Sequence, residues 1–387
     1  MMPRKIRLGM VGGGAGSFIG GIHRIAARLD GDFELLAGAL SSDAARARSS
    51  GLTLGLDPTR NYATYLEMAA AESSRADGVE VVAIVTPNHM HAGPAKAFLR
   101  AGIHVICDKP LTATLDEAEE LASAVRSSAR IFVLTHNYTG YPMVRQARRM
   151  IADGAIGSLR MVAVEYIQGW LATPIENSGN KQAGWRTDPA RSGPGGALGD
   201  IGTHAFNLAE FVTGLSVEEV AADAASMVTG RRLDDNAVMM LRFPNGARGN
   251  LWCSQITIGQ QNALMLRVFG DKGSIEWRQE QPELLRVSRL GEPLQTIMRG
   301  GEGTDPIASL AGRVPGGHPE GYLEGFAQIY RDTAELIRAR TEGREPKNES
   351  WLLPDIETGL RGMHFVSAAL ESSKANGAWI PLPARRA

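Results

Sequence analysis

The chain has 387 residues, with 41 Lys and Arg set against 42 Asp and Glu and a formal net charge of −1. That length suggests two domains and a substantial core, and the charge balance implies neither a basic face for nucleic acid nor an acidic tail, so a small-molecule partner is expected. Two cysteines, Cys107 and Cys253, cannot build a disulfide framework or a cysteine metal cluster; each reads as a small buried hydrophobe in a reducing compartment. No apolar run of signal-peptide length precedes Gly12 and no later run approaches a membrane span, so a soluble cytoplasmic protein without a membrane partner is expected.

Residues 6–11 form a short apolar run ending in glycines, helical spacing follows over Ile22–Leu29, and a second strand-like run covers Phe33–Leu40. Helices at Tyr62–Glu72, Ala92–Ala101 and Leu115–Ser127 then alternate with strands at Val79–Val85, His104–Cys107 and Ile131–Thr135. This alternation predicts an α/β fold with a doubly wound parallel sheet. After a helix at Pro142–Ala152, period-two strands appear at Leu159–Tyr166, Ala237–Phe243, Gly246–Ser254 and Ala263–Phe269, predicting a second, mainly antiparallel sheet with helices on one face. Gly291–Gly317 reads as a long loop, followed by helices at Pro319–Thr341 and around Asp355–Ala375. The predicted domains are therefore 1–138, binding a dinucleotide, and 139–387, binding substrate.

Gly12-Gly13-Gly14 after the first strand fits a pyrophosphate cradle, because glycines let backbone approach phosphate and a helix N-terminus supplies aligned N–H groups. With Gly12 and Gly14 as the first two glycines of GxGxxG, Ser17 stands where the third belongs, and Gly20 is the candidate replacement on a loop three residues longer; an ordinary glycine turn is the alternative. After the second strand Ser41 stands where an acid would accept the ribose hydroxyls of NAD. Ser41, Ser42 and Arg46 fit a 2′-phosphate, favouring NADP over NAD, with Asp43 as the opposing charge; a helix cap at Ser41 or Ser42 with a solvated Arg46 is the alternative.

Thr86, Pro87, Asn88 and His91 follow the strand Val79–Val85, and Asp108-Lys109-Pro110 follows His104–Cys107, at the strand ends where open parallel sheets bind ligands. A lysine there can hold a substrate hydroxyl and stabilise developing alkoxide, or be a surface residue at a turn. Asn137 and Tyr138, after the fifth strand, are assigned to cofactor and substrate. His89 and His91 have no acidic partner nearby in sequence, so no metal site is expected. In the run Gly195–His204, Asp200 and His204 are four residues apart, which on a helix stacks an acid and an imidazole on one face, with surface groups or an N-cap as the alternative. A carboxylate orients an imidazole and raises its basicity, and histidine, with an ordinary pKa of about 6.5, is a natural base toward an alcohol.

Together the glycine turn, Thr86-Pro87-Asn88, Asp108-Lys109-Pro110 and Gly-Gly-Ala-Leu-Gly-Asp-Ile-Gly-Thr-His at 195–204 resemble the Gfo/Idh/MocA family of glucose–fructose oxidoreductase and inositol dehydrogenase, over nearly the whole chain. The resemblance implies an N-terminal Rossmann domain and a C-terminal α/β domain with a large, mostly antiparallel sheet that often forms an oligomer interface, hence a homodimer or homotetramer. It also implies Lys109 as the residue that positions substrate and stabilises alkoxide, Asp200 as a contact to substrate and lysine, and His204 as acid/base. The family's Glu-Lys-Pro appears here as Asp108-Lys109-Pro110. Glu165–Trp170 and Trp185–Asp188 are similar to segments of glycoside and anhydrosugar 3-dehydrogenases, placing Gln168, Trp170, Trp185 and Arg186 on a sugar, with core or subunit-interface aromatics as the alternative for both tryptophans, while His318 either reaches substrate or has a helix-capping or surface role.

The expected function is hydride transfer between a secondary alcohol or ketone of a sugar, glycoside or cyclitol and NAD(P). A relative that recycles tightly bound cofactor, and a non-catalytic dinucleotide sensor, are the alternatives; intact Lys109, Asp200 and His204 argue against the sensor.

Overall fold

The computed structural model describes residues 4–347 and 352–385. The chain opens with β1 (Ile6–Gly12), α1 (Phe18–Leu29) and β2 (Phe33–Ala39). It continues through α2 (Ala44–Thr53), α3 (Tyr65–Ser73), β3 (Val81–Val85), α4 (Ala92–Arg100), β4 (His104–Cys107), α5 (Leu115–Ser128) and β5 (Phe132–Leu134). These strands form one parallel sheet in the order β2-β1-β3-β4-β5. β3, Val-Val-Ala-Ile-Val, is buried throughout, the continuous apolar run of a central parallel strand covered on both faces. Strand order reverses between β1 and β3, so their carboxyl ends mark the topological switch point where such sheets bind ligands.

Then come α6 (Pro142–Ala152), β6 (Leu159–Ile167), α7 (Lys181–Arg186), α8 (Pro189–Ser192), α9 (Thr203–Thr213), β7 (Glu219–Ala225) and β8 (Asn236–Arg242). β9 (Arg248–Ser254), β10 (Ala263–Gly270), β11 (Gly273–Arg278), β12 (Leu284–Arg289), β13 (Gln295–Met298) and α10 (Pro306–Ala311) follow. The last elements are α11 (Tyr322–Glu342), α12 (Ile356–Lys374) and β14 (Ile380–Pro381). A nine-stranded sheet runs β13-β12-β11-β10-β6-β9-β8-β7-β14, antiparallel except between β6 and β9. On β8, Ala237, Met239 and Leu241 point into the core while Val238 and Met240 are exposed. The buried face joins Val144 of α6, Phe206 of α9 and Phe365 of α12 in one cluster, with the Phe206 and Phe365 rings stacked 4.2 Å apart.

The described residues fall into two compact units, the first within Met1–Thr112, Asp116–Asn137 and Tyr322–Leu360, the second within Ala113–Leu115, Tyr138–Gly321 and Arg361–Ala387. The stretch 139–387 is thus not one domain, because α11 belongs with the first unit. Phe326, Tyr330, Ala334 and Ile337 recur on one face of α11 and share a buried cluster with Ala26 and Ala27 of α1 and Phe33 of β2. Gly291–Gly317 is likewise more than a loop, since it holds β13 and α10, the latter started by Asp305 accepting from the Ile307 N–H, with Pro306 in its first turn. Burial pushes the thiols of Cys107 and Cys253 well up from their ordinary value. Among the described residues no helix is long and apolar enough to cross a membrane.

Candidate active site

In the first unit, the glycine turn is dictated by backbone geometry. Gly12 and Gly13 have φ of 76° and 73°, a left-handed conformation that costs other residues free energy. Gly14 donates its N–H to the Leu40 carbonyl at 3.1 Å, and a Cβ on it would come within 2.7 Å of that oxygen. α1 starts at once, with Ser17 capping it by accepting from the Gly20 N–H at 3.2 Å. Gly20 lies against the turn itself, where a Cβ would stand 2.4 Å from the Gly13 Cα. It therefore holds helix to strand at close range, the role of the last glycine in a dinucleotide fingerprint. Gly20→Ala should lower stability by about 1–3 kcal/mol, read as a fall in the denaturant midpoint; an unchanged midpoint would mean the turn moves aside freely.

After β2, the cap of α2 is Asp43, which accepts from the Arg46 N–H at 2.7 Å, rather than Ser41 or Ser42. Ser41 Oγ accepts from the Asp43 N–H at 3.1 Å, and Ser42 and the Arg46 side chain are exposed. After β3, the Thr86 hydroxyl donates to the Met90 carbonyl, Pro87 begins a short turn and Asn88 is buried. His91, expected at the cofactor, is a buried brace in this loop. Its Nδ1 lies 2.8 Å from the Pro110 carbonyl oxygen and its Nε2 2.8 Å from that of Thr86, so one ring joins the loops after β3 and β4. Burial lowers the His91 pKa, against the pull of Asp108 and the neighbouring carbonyls.

Asp108 and Lys109 follow β4, with a cis peptide at Lys109-Pro110. Asp108 accepts from the Thr135 hydroxyl at 2.8 Å and faces His23 Nε2 at 3.8 Å, an electrostatic contact rather than a hydrogen bond. Burial would raise the Asp108 carboxyl, but His23, Lys109 and His91 outweigh it and hold it at about 2. Next to β5, burial and then the Lys109 charge bring His136 down to about 3, so a neutral imidazole accompanies the lysine. No sequence signal singled out His136. Asn137 is buried and its Nδ2 has no partner, a donor suited to an incoming ligand. The glycine cradle and this orphaned donor both fit a dinucleotide.

In the second unit, Asp200 occupies a π-helical turn, Leu198–Gly202, that runs into α9, and His204 is in the first turn of α9. Such wide turns recur at functional sites. Asp200 Oδ2 accepts from Arg186 Nε at 3.2 Å and from Gln255 Nε2 at 2.9 Å. Arg186 spreads over the Trp185 ring at 4.3 Å and lies 5.9 Å from the Trp170 ring centre. Around His204, the Tyr138 ring sits edge-on at 4.8 Å, its hydroxyl 2.6 Å from that of Tyr166. Tyr166 and Gln168 both donate to Asn262 Oδ1 at 2.7 Å, and Gln168 Oε1 accepts from Trp170 Nε1 at 2.9 Å. Burial pushes the Tyr138 hydroxyl well up, with Tyr166 adding to it, so it stays protonated.

Apart from Lys109, which belongs to the first unit, most residues expected on substrate are thus knitted together within this unit. His318 is the exception: it does not open α11, which starts at Tyr322, but lies exposed in a turn whose backbone is held by Arg299. Gln255 and Asn262 escaped the sequence because a lone amide at a strand end carries no motif, and Tyr166 lies in the Glu165–Trp170 segment without a role of its own.

Residues 6–136 match the oxidoreductase family model with an NAD-binding Rossmann fold, and 144–276 match the GFO/IDH/MocA C-terminal domain. The crystal structure of an oxidoreductase from Sinorhizobium meliloti is 52% identical, with a TM-score of 0.89 over 98% of this chain and 100% of that one. An inositol dehydrogenase homolog from Azotobacter vinelandii, complexed with NADH and myo-inositol, is 36% identical, with a TM-score of 0.90 over 98% of each chain. Levoglucosan dehydrogenase of Pseudarthrobacter phenanthrenivorans is 30% identical over 79% of this chain and 80% of its own. With two family models matched in order over residues 6–136 and 144–276 and relatives aligned nearly end to end, the chain belongs to the Gfo/Idh/MocA family of oxidoreductases.

Proposed function

We propose that this chain is an NAD(P)-dependent dehydrogenase of a secondary alcohol on a sugar, glycoside or cyclitol. The Asp200 carboxylate, held by Arg186 and Gln255 one turn before His204, carries this proposal: it presents a hydroxyl acceptor beside a base. The bound inositol and NADH of the Azotobacter relative and the levoglucosan dehydrogenase homologue support the substrate class. When bound, the nicotinamide takes up or returns the hydride. His204 removes the hydroxyl proton, and Lys109 holds the oxygen as its charge develops. Asp200 orients the substrate, and Tyr138 covers the His204 ring. Arg186, with Trp185 and Trp170 beside it, and Gln168 offer the polar and flat apolar surface that a sugar ring requires.

The test is appearance of reduced nicotinamide with a panel of sugars, glycosides and inositols and either cofactor. Turnover supports the assignment. Nicotinamide binding with no turnover in either direction would replace it with a sensor, and copurifying cofactor with no exchange would favour internal recycling.

For the cofactor, NADP is proposed ahead of NAD, because Ser41, Ser42 and the exposed Arg46 gather at the end of β2 where no acid follows the strand directly. Arg46→Ala should raise the Kd for NADP+ about tenfold with little change for NAD+. Equal effects would remove Arg46 from 2′-phosphate recognition. For assembly, a homodimer or homotetramer through the open sheet face is proposed. Met161, Val238, Met240 and Phe269 are exposed there at 48%, 50%, 55% and 37%, an apolar patch that a second copy would cover. Light scattering that finds a monomer would overturn this.

A further inference from the structure

We propose that Asp234 is a positioning residue that sets the turn carrying Asp200 and His204, an inference that rests on those two residues serving the substrate. The turn has a construction problem. A helix leaves its first N–H groups unpaired, and the run Gly195–Leu198 enters one with no side-chain cap of its own. A single residue thirty-odd positions later, just before β8, supplies the acceptors. Asp234 Oδ1 accepts from the Gly196 N–H at 2.6 Å, Oδ2 from the Leu198 N–H at 2.7 Å, and the Asp234 main-chain carbonyl from the Ala197 N–H at 2.9 Å.

Three consecutive orphan donors are thus met by one buried residue. The contact is too close for any side chain at 196, where a Cβ would stand 2.0 Å from the Asp234 carbonyl oxygen, which accounts for that glycine. Two lone-pair acceptors are required at once, and only a carboxylate offers both; an amide would turn an N–H toward a backbone N–H. The site favours negative charge in another way, since it faces the positive end of the helical turn. Burial, joined by the Asp235 charge, raises the Asp234 carboxyl and outweighs the hydrogen bonds from Leu198 and Gly196 that pull it down.

Asp235, the next residue, is a built-in control. It too is buried, yet its carboxylate accepts from the Met227 and Val228 N–H groups and from Arg231, which also pairs with Glu176. It stabilises a different loop. If Asp234 acted only by filling a buried polar site, the two aspartates would behave alike when neutralised.

The experiment compares Asp234→Asn, Asp234→Glu and Asp235→Asn in the full chain by hydrogen-exchange mass spectrometry and steady-state kinetics. Asp234→Asn should speed exchange in the peptide spanning 195–204 about tenfold and lower kcat about ten- to a hundredfold, with nicotinamide Kd unchanged. Asp235→Asn should move exchange at 226–231 and leave kcat near wild type. Asp234→Glu, which keeps the carboxylate and decides the matter should the Asn variant not fold, should recover part of both signals. Wild-type exchange at 195–204 in a folded Asp234 variant, or faster exchange with unchanged kcat, would overturn the positioning role. A wild-type enzyme without turnover would instead sink the dehydrogenase assignment, leaving the exchange measurement to decide whether Asp234 anchors the turn.

Discussion

Lys109→Ala is expected to lower kcat by about two to three orders of magnitude, the usual cost of removing a preorganised cation from a developing oxyanion. Stability should stay close to wild type, because the side chain lies in a half-exposed turn beyond β4 rather than in the core. The environment is arranged for a fixed charge. Asp108, ionised down to about pH 2, and a neutral His136 flank the ammonium, so its field is opposed by one carboxylate and by no second cation from these neighbours. Lys109→Arg should recover little, since a planar guanidinium cannot replace a compact ammonium at one oxygen. Steady-state kinetics with circular dichroism as the folding control make the measurement. Near-normal turnover in a folded Lys109→Ala protein would remove the lysine from the mechanism.

His204→Asn should cost about 10²–10⁴ in kcat for alcohol oxidation. The sign of its pH dependence follows from its role. A base must be unprotonated to accept the hydroxyl proton, so wild-type oxidation should slow as pH falls and ketone reduction should not show that limb. The variant should be slow throughout and lose the acid limb in oxidation. A retained limb would assign the titration to another group. The ring is buried against Tyr138 and Tyr166, so Asn, polar and smaller, also opens space there; a thermal midpoint for each variant separates that loss from the lost base.

How far the sequence was legible depends on how local each signal was. The parallel first sheet was readable because β3 and β4 are short apolar runs bounded by turns, and the antiparallel second sheet because β8 and β10 alternate with period two. Asp108-Lys109 and Asp200–His204 stood out for the same reason, as compact motifs at the ends of such elements. The bracing contacts of His91 were not legible, because sequence shows only that it lies near a ligand loop, while both of its ring nitrogens face backbone carbonyls of that loop and the next.

By itself, the sequence determined the two sheets and the glycine turn, and singled out Lys109, Asp200 and His204 as candidates, since periodicity and turn chemistry act over a few residues. Only the tertiary structure decided that α11 joins the first unit, that Gly20 packs on Gly13, that Gln255 holds Asp200 and that Asp234 closes the turn before His204. Apart from the Gly20 contact, these pair residues from 36 to about 300 positions apart. Such contacts are selected by shape, burial and unsatisfied hydrogen bonds once the chain is folded, and no spacing along the sequence records them.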